Sequence, residues 1–147
     1  MNNYTITLFN RIKGDRGHGD TWHPTILKGV NLNLDRASIL AKYGAESQDK
    51  AWLSIPYKRT DGLKAVAGKT YVTPKMFEDP DSEITFSSGN EFDFFWFGEW
   101  EDGMVSDYDY KSKVGFYNYM NDTFDNVFII SSVSVFSVIP HFEIFGK

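Results

Sequence analysis

Residues 126–145 read NVFIISSVSVFSVIPHFEIF and are followed by Gly146 and Lys147. Val127, Ile129, Val133, Val135 and Ile139 share one side of the two-residue period of an extended chain; Phe128, Ile130, Phe136 and Val138 share the other. The pattern predicts a strand that is buried on both faces and therefore places the C-terminal segment in the core. It is read either as one bent strand or as two strands broken around Ser131-Ser132 and Pro140.

Working outward, Tyr4, Ile6 and Leu8 alternate with Thr5 and Thr7 and predict a first half-buried strand. Residues 13–24, KGDRGHGDTWHP, combine three glycines, charges and a proline and predict a turn or exposed loop. Alternation resumes over residues 26–34. Asp35 is placed as the N-cap of a short helix over residues 36–43, with Gly44 just past its end. Residues 52–57 predict a third strand with Leu53, Ile55 and Tyr57 on one face, and Pro56 puts it at an edge or ends it there.

Residues 58–69 hold little apolar content and read as a long loop. Thr73-Pro74 has the form of an N-cap with proline at the first helical position, which predicts one or two turns through Phe77 before Pro80. Ile84 and Phe86, then residues 92–97, read as a hairpin joined at Ser87-Ser88-Gly89-Asn90, with both faces of the second strand largely buried. The acidic stretches at residues 99–103 and 107–110 have the composition of solvated loops. Phe116, Met120 and Phe124 stand at i, i+4 and i+8, so residues 111–124 predict an amphipathic helix weakened by Gly115. The fold class that results is mainly β, an antiparallel barrel or sandwich with two or three short helical inserts, forming a single β-rich domain over residues 1–147.

Composition excludes several function classes. The chain of 147 residues has no cysteine, so neither disulfides nor thiolate zinc sites are available. A formal net charge of −5 argues against a surface that grips nucleic-acid phosphates. No segment approaches the roughly 18 apolar residues of a membrane-spanning helix, and no classical export signal opens the chain. His18, His23 and His141 have no metal-binding spacing, and the acidic clusters at residues 78–83 and 99–109 lack a calcium-loop pattern. Ser131, Ser132 and Ser134 lie in an apolar strand, away from any nucleophile elbow, and residues 14–19 match no phosphate loop. No catalytic, cofactor or metal residues are assigned. Of the aromatics, Trp100 between Glu99 and Glu101, with Tyr108 and Tyr110, are the candidate partner-binding residues, Trp100 being expected to be exposed.

The strings TLFNRIKGDRGHGDTWHPTIL, VNLNLDRASILAKYGAESQDKAWLSIPY, ITFSSGNEFDFFWFGEW and FYNYMNDTFDNVFIISSVSVFSVIPHFEIFGK follow one another along nearly the whole chain. In this order they resemble a family of small structural proteins from phages and prophages of Gram-positive bacteria, AKYGAES and VIPHFEI being the most distinctive strings. The resemblance implies a head-to-tail connector of the stopper or head-completion type. It further implies a homo-oligomeric ring beside portal, adaptor and tail proteins, located in the virion and in the host cytoplasm during assembly. Residues 58–69 and 99–110 are the loops expected to reach neighbouring subunits. Two other readings stand beside it: a carbohydrate-binding β-sandwich in a tail or receptor-binding device, and a small hydrolase using the acidic loops.

Overall fold

A computed structural model describes residues 3–15, 17–34 and 49–147. The helix expected over residues 36–43, with its caps Asp35 and Gly44, lies outside the described residues.

Strands β1 (Tyr4–Ile12), β2 (Thr21–Asn33), β3 (Ala51–Pro56), β8 (Phe94–Trp96), β10 (Val127–Phe136) and β11 (His141–Gly146) close into an antiparallel barrel in the order β1-β8-β10-β11-β3-β2, with β2 returning to β1. Short β9 (Val105–Ser106) adds to β2 outside this ring. A four-stranded sheet, β4 (Lys58–Thr60), β5 (Leu63–Val66), β6 (Lys69–Tyr71) and β7 (Glu83–Ile84), packs beside the barrel. Helix α1 (Phe116–Thr123) follows a 3-10 segment, Asp107–Lys113.

Alternation in the strands sorts the apolar side chains into two clusters. Ile6, Leu8, Leu53, Ile55, Phe95, Ile130, Phe142 and Ile144 fill the barrel, joined by Val66 and Ile84 from the second sheet and by Phe86 just past it. Their strand neighbours Phe9, Phe94 and Val127 point outward and meet Trp22, Phe116 and Met120, the face that α1 covers. Burial on both sides of β8 follows from this arrangement.

Several local expectations are corrected. The loop expected over residues 13–24 is shorter, because Thr21, Trp22, His23 and Pro24 belong to β2 and pair with β1. Trp22 is fully buried there. Pro24 opposite Phe9 sits between the stretches of β2 that bond β9 and β3, where a missing N–H breaks no second ladder among the described residues. Pro56 does end β3, but the strand lies between β2 and β11 and is not an edge.

Residues 58–69 form two tight hairpins rather than a loop. Asp61 and Gly62 have φ of 53° and 77°, and Ala67 and Gly68 have 52° and 78°, the paired positive values that two-residue hairpin turns demand. The chain at Thr73-Pro74 makes a single turn, closed by Met76 N–H to the Thr73 carbonyl, and no helix. Strand β7 pairs in parallel with β6, and β8 pairs with β1 and β10, so no hairpin joins them. Asp93 is the reason. Its buried carboxylate accepts Ser87 N–H at 2.9 Å, Arg11 N–H at 2.9 Å and Asn10 Nδ2 at 2.9 Å, fastening the turn to β1 instead of to a partner strand. The amphipathic helix begins five residues later than expected, since Val114 and Gly115 take φ of 61° and 107°.

The decisive stretch is two strands, as one of the readings allows, but its burial is only half as expected. Phe128, Ile130, Phe142 and Ile144 are buried, whereas Val135, Phe136, Val138 and Ile139 are 48, 42, 96 and 75 % exposed. Periodicity reveals which side chains share a face. Whether anything covers that face depends on how far the neighbouring strands run, and β8 ends at the level of Ile129.

Candidate functional surface

The outer half of β10 and the loop at residues 137–140 form the exposed apolar side of the β10–β11 hairpin, because β10 runs on past β8 there while β11 stays paired with β3 from His141 onward. From Val127 to Pro140 the chain carries no charged side chain, within a protein whose net charge is −5. The hairpin is firmly held. Phe136 stacks on the His141 ring at 4.7 Å and 5°, and Tyr57 OH donates to the Phe136 carbonyl at 2.8 Å. Arg59 donates to the Ser137 carbonyl at 2.5 Å, His141 Nδ1 lies 2.6 Å from the Ile139 carbonyl, and Trp52 Nε1 donates to Glu143 Oε1 at 2.8 Å beneath. Large apolar side chains on a rigid, uncharged surface are suited to contact with another macromolecule.

The three aromatics singled out in the sequence are placed differently from one another. Trp100, expected to be exposed, is half-buried: its ring packs edge-on against Phe9 at 5.9 Å and Phe116 at 5.2 Å, and its Nε1 donates to the Gly103 carbonyl. Flanking charges did not keep it in water, because Thr7 Oγ1 accepts its backbone N–H and turns the chain back over Phe9. Tyr110 lies against Phe116 and Tyr119 at 5.1 and 4.6 Å, and burial pushes its hydroxyl pKa up. Tyr108 is the exposed member, with Lys111 Nζ 4.6 Å above its ring. Trp100 and Tyr110 thus serve the outer cluster, and Tyr108 alone of the three presents an open ring.

The acidic stretch also has a structural duty. Asp107 Oδ1 accepts the Trp22 indole N–H and the Phe116 backbone N–H, so this carboxylate supplies the first turn of α1 with the acceptor that Gly115 lacks. Arg11 is sandwiched between Trp22 and Phe92, 4.5 and 4.4 Å from their ring centres, and pairs with Asp20 at 3.4 Å. A cleft of about 240 Å³ is lined by the polar groups of Arg11, Lys13, Glu91 and Asp93 and by the apolar Pro74 and Phe77. Both Asp93 oxygens are already taken by N–H donors, and burial pushes its pKa up to about 7. Among the described residues no group of three or more His, Asp or Glu converges to hold a metal ion. No described helix is long and apolar enough to cross a membrane.

A protein-family model matches residues 1–147, the full length given. The chain belongs to the family of unknown function DUF6751. No curated protein and no solved structure matches it. On the surface of the DUF6751 chain the uncharged hairpin stands exposed where strand periodicity predicts core. The absence of any Lys, Arg, Asp or Glu over fourteen positions, 127–140, was the signal available for it.

Proposed function

We propose that this protein is a structural subunit of a phage or prophage virion, at the head-to-tail interface, which assembles with copies of itself into a ring beside portal, adaptor and tail proteins. The exposed hairpin of β10 and β11 carries the reading: a stiff barrel that exposes Val135, Phe136, Val138 and Ile139 is built to be covered by a neighbour. The net charge of −5 suits a component that lets DNA pass without holding it. The resemblance to phage structural proteins supplies the location, in the virion and in the host cytoplasm during assembly. A carbohydrate-binding role draws less support, because Trp100 and Tyr110 are packed inward and, of the three candidate aromatics, only Tyr108 is left with an exposed ring. Cryo-microscopy of particles carrying the tagged chain tests the proposal. Density for it in the neck is expected, and its presence only elsewhere, or only in uninfected host fractions, would overturn it.

A further inference from the structure

Residues 132–136 of β10 pair with β11 along one side, and among the described residues no strand pairs along the other. An open strand edge is a template for another strand, and sheets ordinarily protect one with a charge, a proline or a bulge. The sequence here, Ser-Val-Ser-Val-Phe, has neither charge nor proline, and the irregularity of β10 lies before it, between Ile130 and Ser132. Ser132, Ser134, Val135 and Phe136 are all exposed.

We infer that in the free protein this edge pairs with the same edge of a second copy, antiparallel about a two-fold axis through Ser134. Read outward from Ser134, the stretch is its own complement: Val133 faces Val135 of the second copy, and Ser132 faces Phe136. The four valines then form one apolar face, the arrangement in which cross-strand β-branched pairs stabilise a sheet. Charge selects the occupant. A charged partner strand would find no countercharge on this edge, whereas the same edge of a second copy is equally uncharged and its Val133-Ser134-Val135 matches itself about the axis. A two-fold contact closes on itself, so it yields a dimer and not a filament. The edge is shorter than a standard interface of roughly 800 Å² per partner requires, and the dimer is accordingly concentration-dependent. The inference rests on the reading that the hairpin meets another copy, and assigns the pairing to the subunit before any ring forms.

Because the chain has no cysteine, Ser134→Cys installs a lone thiol on the proposed axis. Directly opposed residues in an antiparallel pair have Cα atoms about 4.5–5.5 Å apart, within disulfide reach. Under mild oxidation the purified S134C chain is expected to form a disulfide-linked dimer, while V138C, displaced from the axis, does not. Sedimentation of the unmodified chain should show a dimer that Val135→Lys abolishes without altering the circular dichroism spectrum. A monomer at every soluble concentration, a dimer indifferent to V135K, or V138C cross-linking as readily as S134C would overturn the pairing. A monomeric chain still found in the virion neck would remove this inference and leave the proposed location intact; a dimer absent from virions would do the reverse.

Discussion

Trp22 and Asp107 are joined by a hydrogen bond of 2.7 Å from the indole N–H to carboxylate Oδ1, across 85 positions of sequence. The same oxygen accepts Phe116 N–H at 2.9 Å, so one carboxylate ties β2, the 3-10 segment and the start of α1 into the outer cluster. Asp107→Ala leaves two donors without this acceptor, one of them on a fully buried tryptophan, and should lower stability by about 2–4 kcal/mol. Asp107→Asn, which can keep Oδ1 as an oxygen, should recover part of that loss. Urea unfolding followed by tryptophan fluorescence measures both, and an unchanged midpoint in D107A would refute the coupling.

Asp93 sets a pH dependence. Its carboxyl has an ordinary value of 3.8 and is pushed up to about 7 by burial, against the opposing pull of the N–H donors from Arg11, Ser87 and Asn10. Between these values the folded chain holds a proton that the unfolded chain releases, so this group's contribution to stability is full below about 4 and declines as pH rises through about 7. Asp93→Asn should flatten that slope. It should also cost about 1–3 kcal/mol, because Oδ2 accepts from both Asn10 and Ser87 and an amide must turn an NH₂ toward donors on one side. Thermal unfolding from pH 4 to 8 for both chains decides it: a slope that D93N leaves intact would assign the titration to another group.

How much was legible in the sequence depended on whether a local signal or a distant partner fixed the outcome. Alternation at Tyr4, Ile6 and Leu8 and over residues 26–34 correctly gave β1 and most of β2, and the spacing of Phe116, Met120 and Phe124 gave α1. The barrel half of the fold-class expectation followed from these strands. Asp61-Gly62 was a readable turn signal obscured by the polar residues around it, whereas Ala67 at φ 52° carried no signal at all. Trp22 among glycines and charges gave no hint of its burial, since the Asp107 that satisfies its indole is far along the chain. Trp100 misled for the same reason: its neighbours in sequence are acidic, but its neighbours in space are Phe9 and Phe116.

Gly146 shows that the C-terminal strand is close-packed where it enters the barrel. A Cβ at this position would lie 2.7 Å from Phe128 Cβ and 2.9 Å from Phe95 Cζ, both in the buried core. Gly146→Ala should therefore destabilise by about 1–3 kcal/mol through overpacking. Gly17→Ala, whose Cβ meets nothing within 4 Å, should cost about 1 kcal/mol for its φ of +83° alone. A loss at Gly146 smaller than that at Gly17 in chemical denaturation would contradict this packing.

Neighbouring positions of the β10–β11 hairpin should respond very differently to loss of apolar surface. Phe142 is fully buried and touches Tyr57, Tyr71 and Phe86 at ring separations of 5.1, 4.7 and 4.9 Å, which makes it the joint between the barrel and the second sheet. Phe142→Ala should cost about 3–5 kcal/mol. Val138 and Ile139 are as apolar and lie in the same run of sequence, yet they bury little within the chain, and Val138→Ser with Ile139→Ser should shift stability by no more than about 0.5 kcal/mol each. Binding of a hydrophobic dye should fall in the double serine variant while its unfolding midpoint stays in place. A large loss of stability in that variant would mean that the hairpin tip belongs to the core of its own chain, and the case for an external neighbour would fail with it.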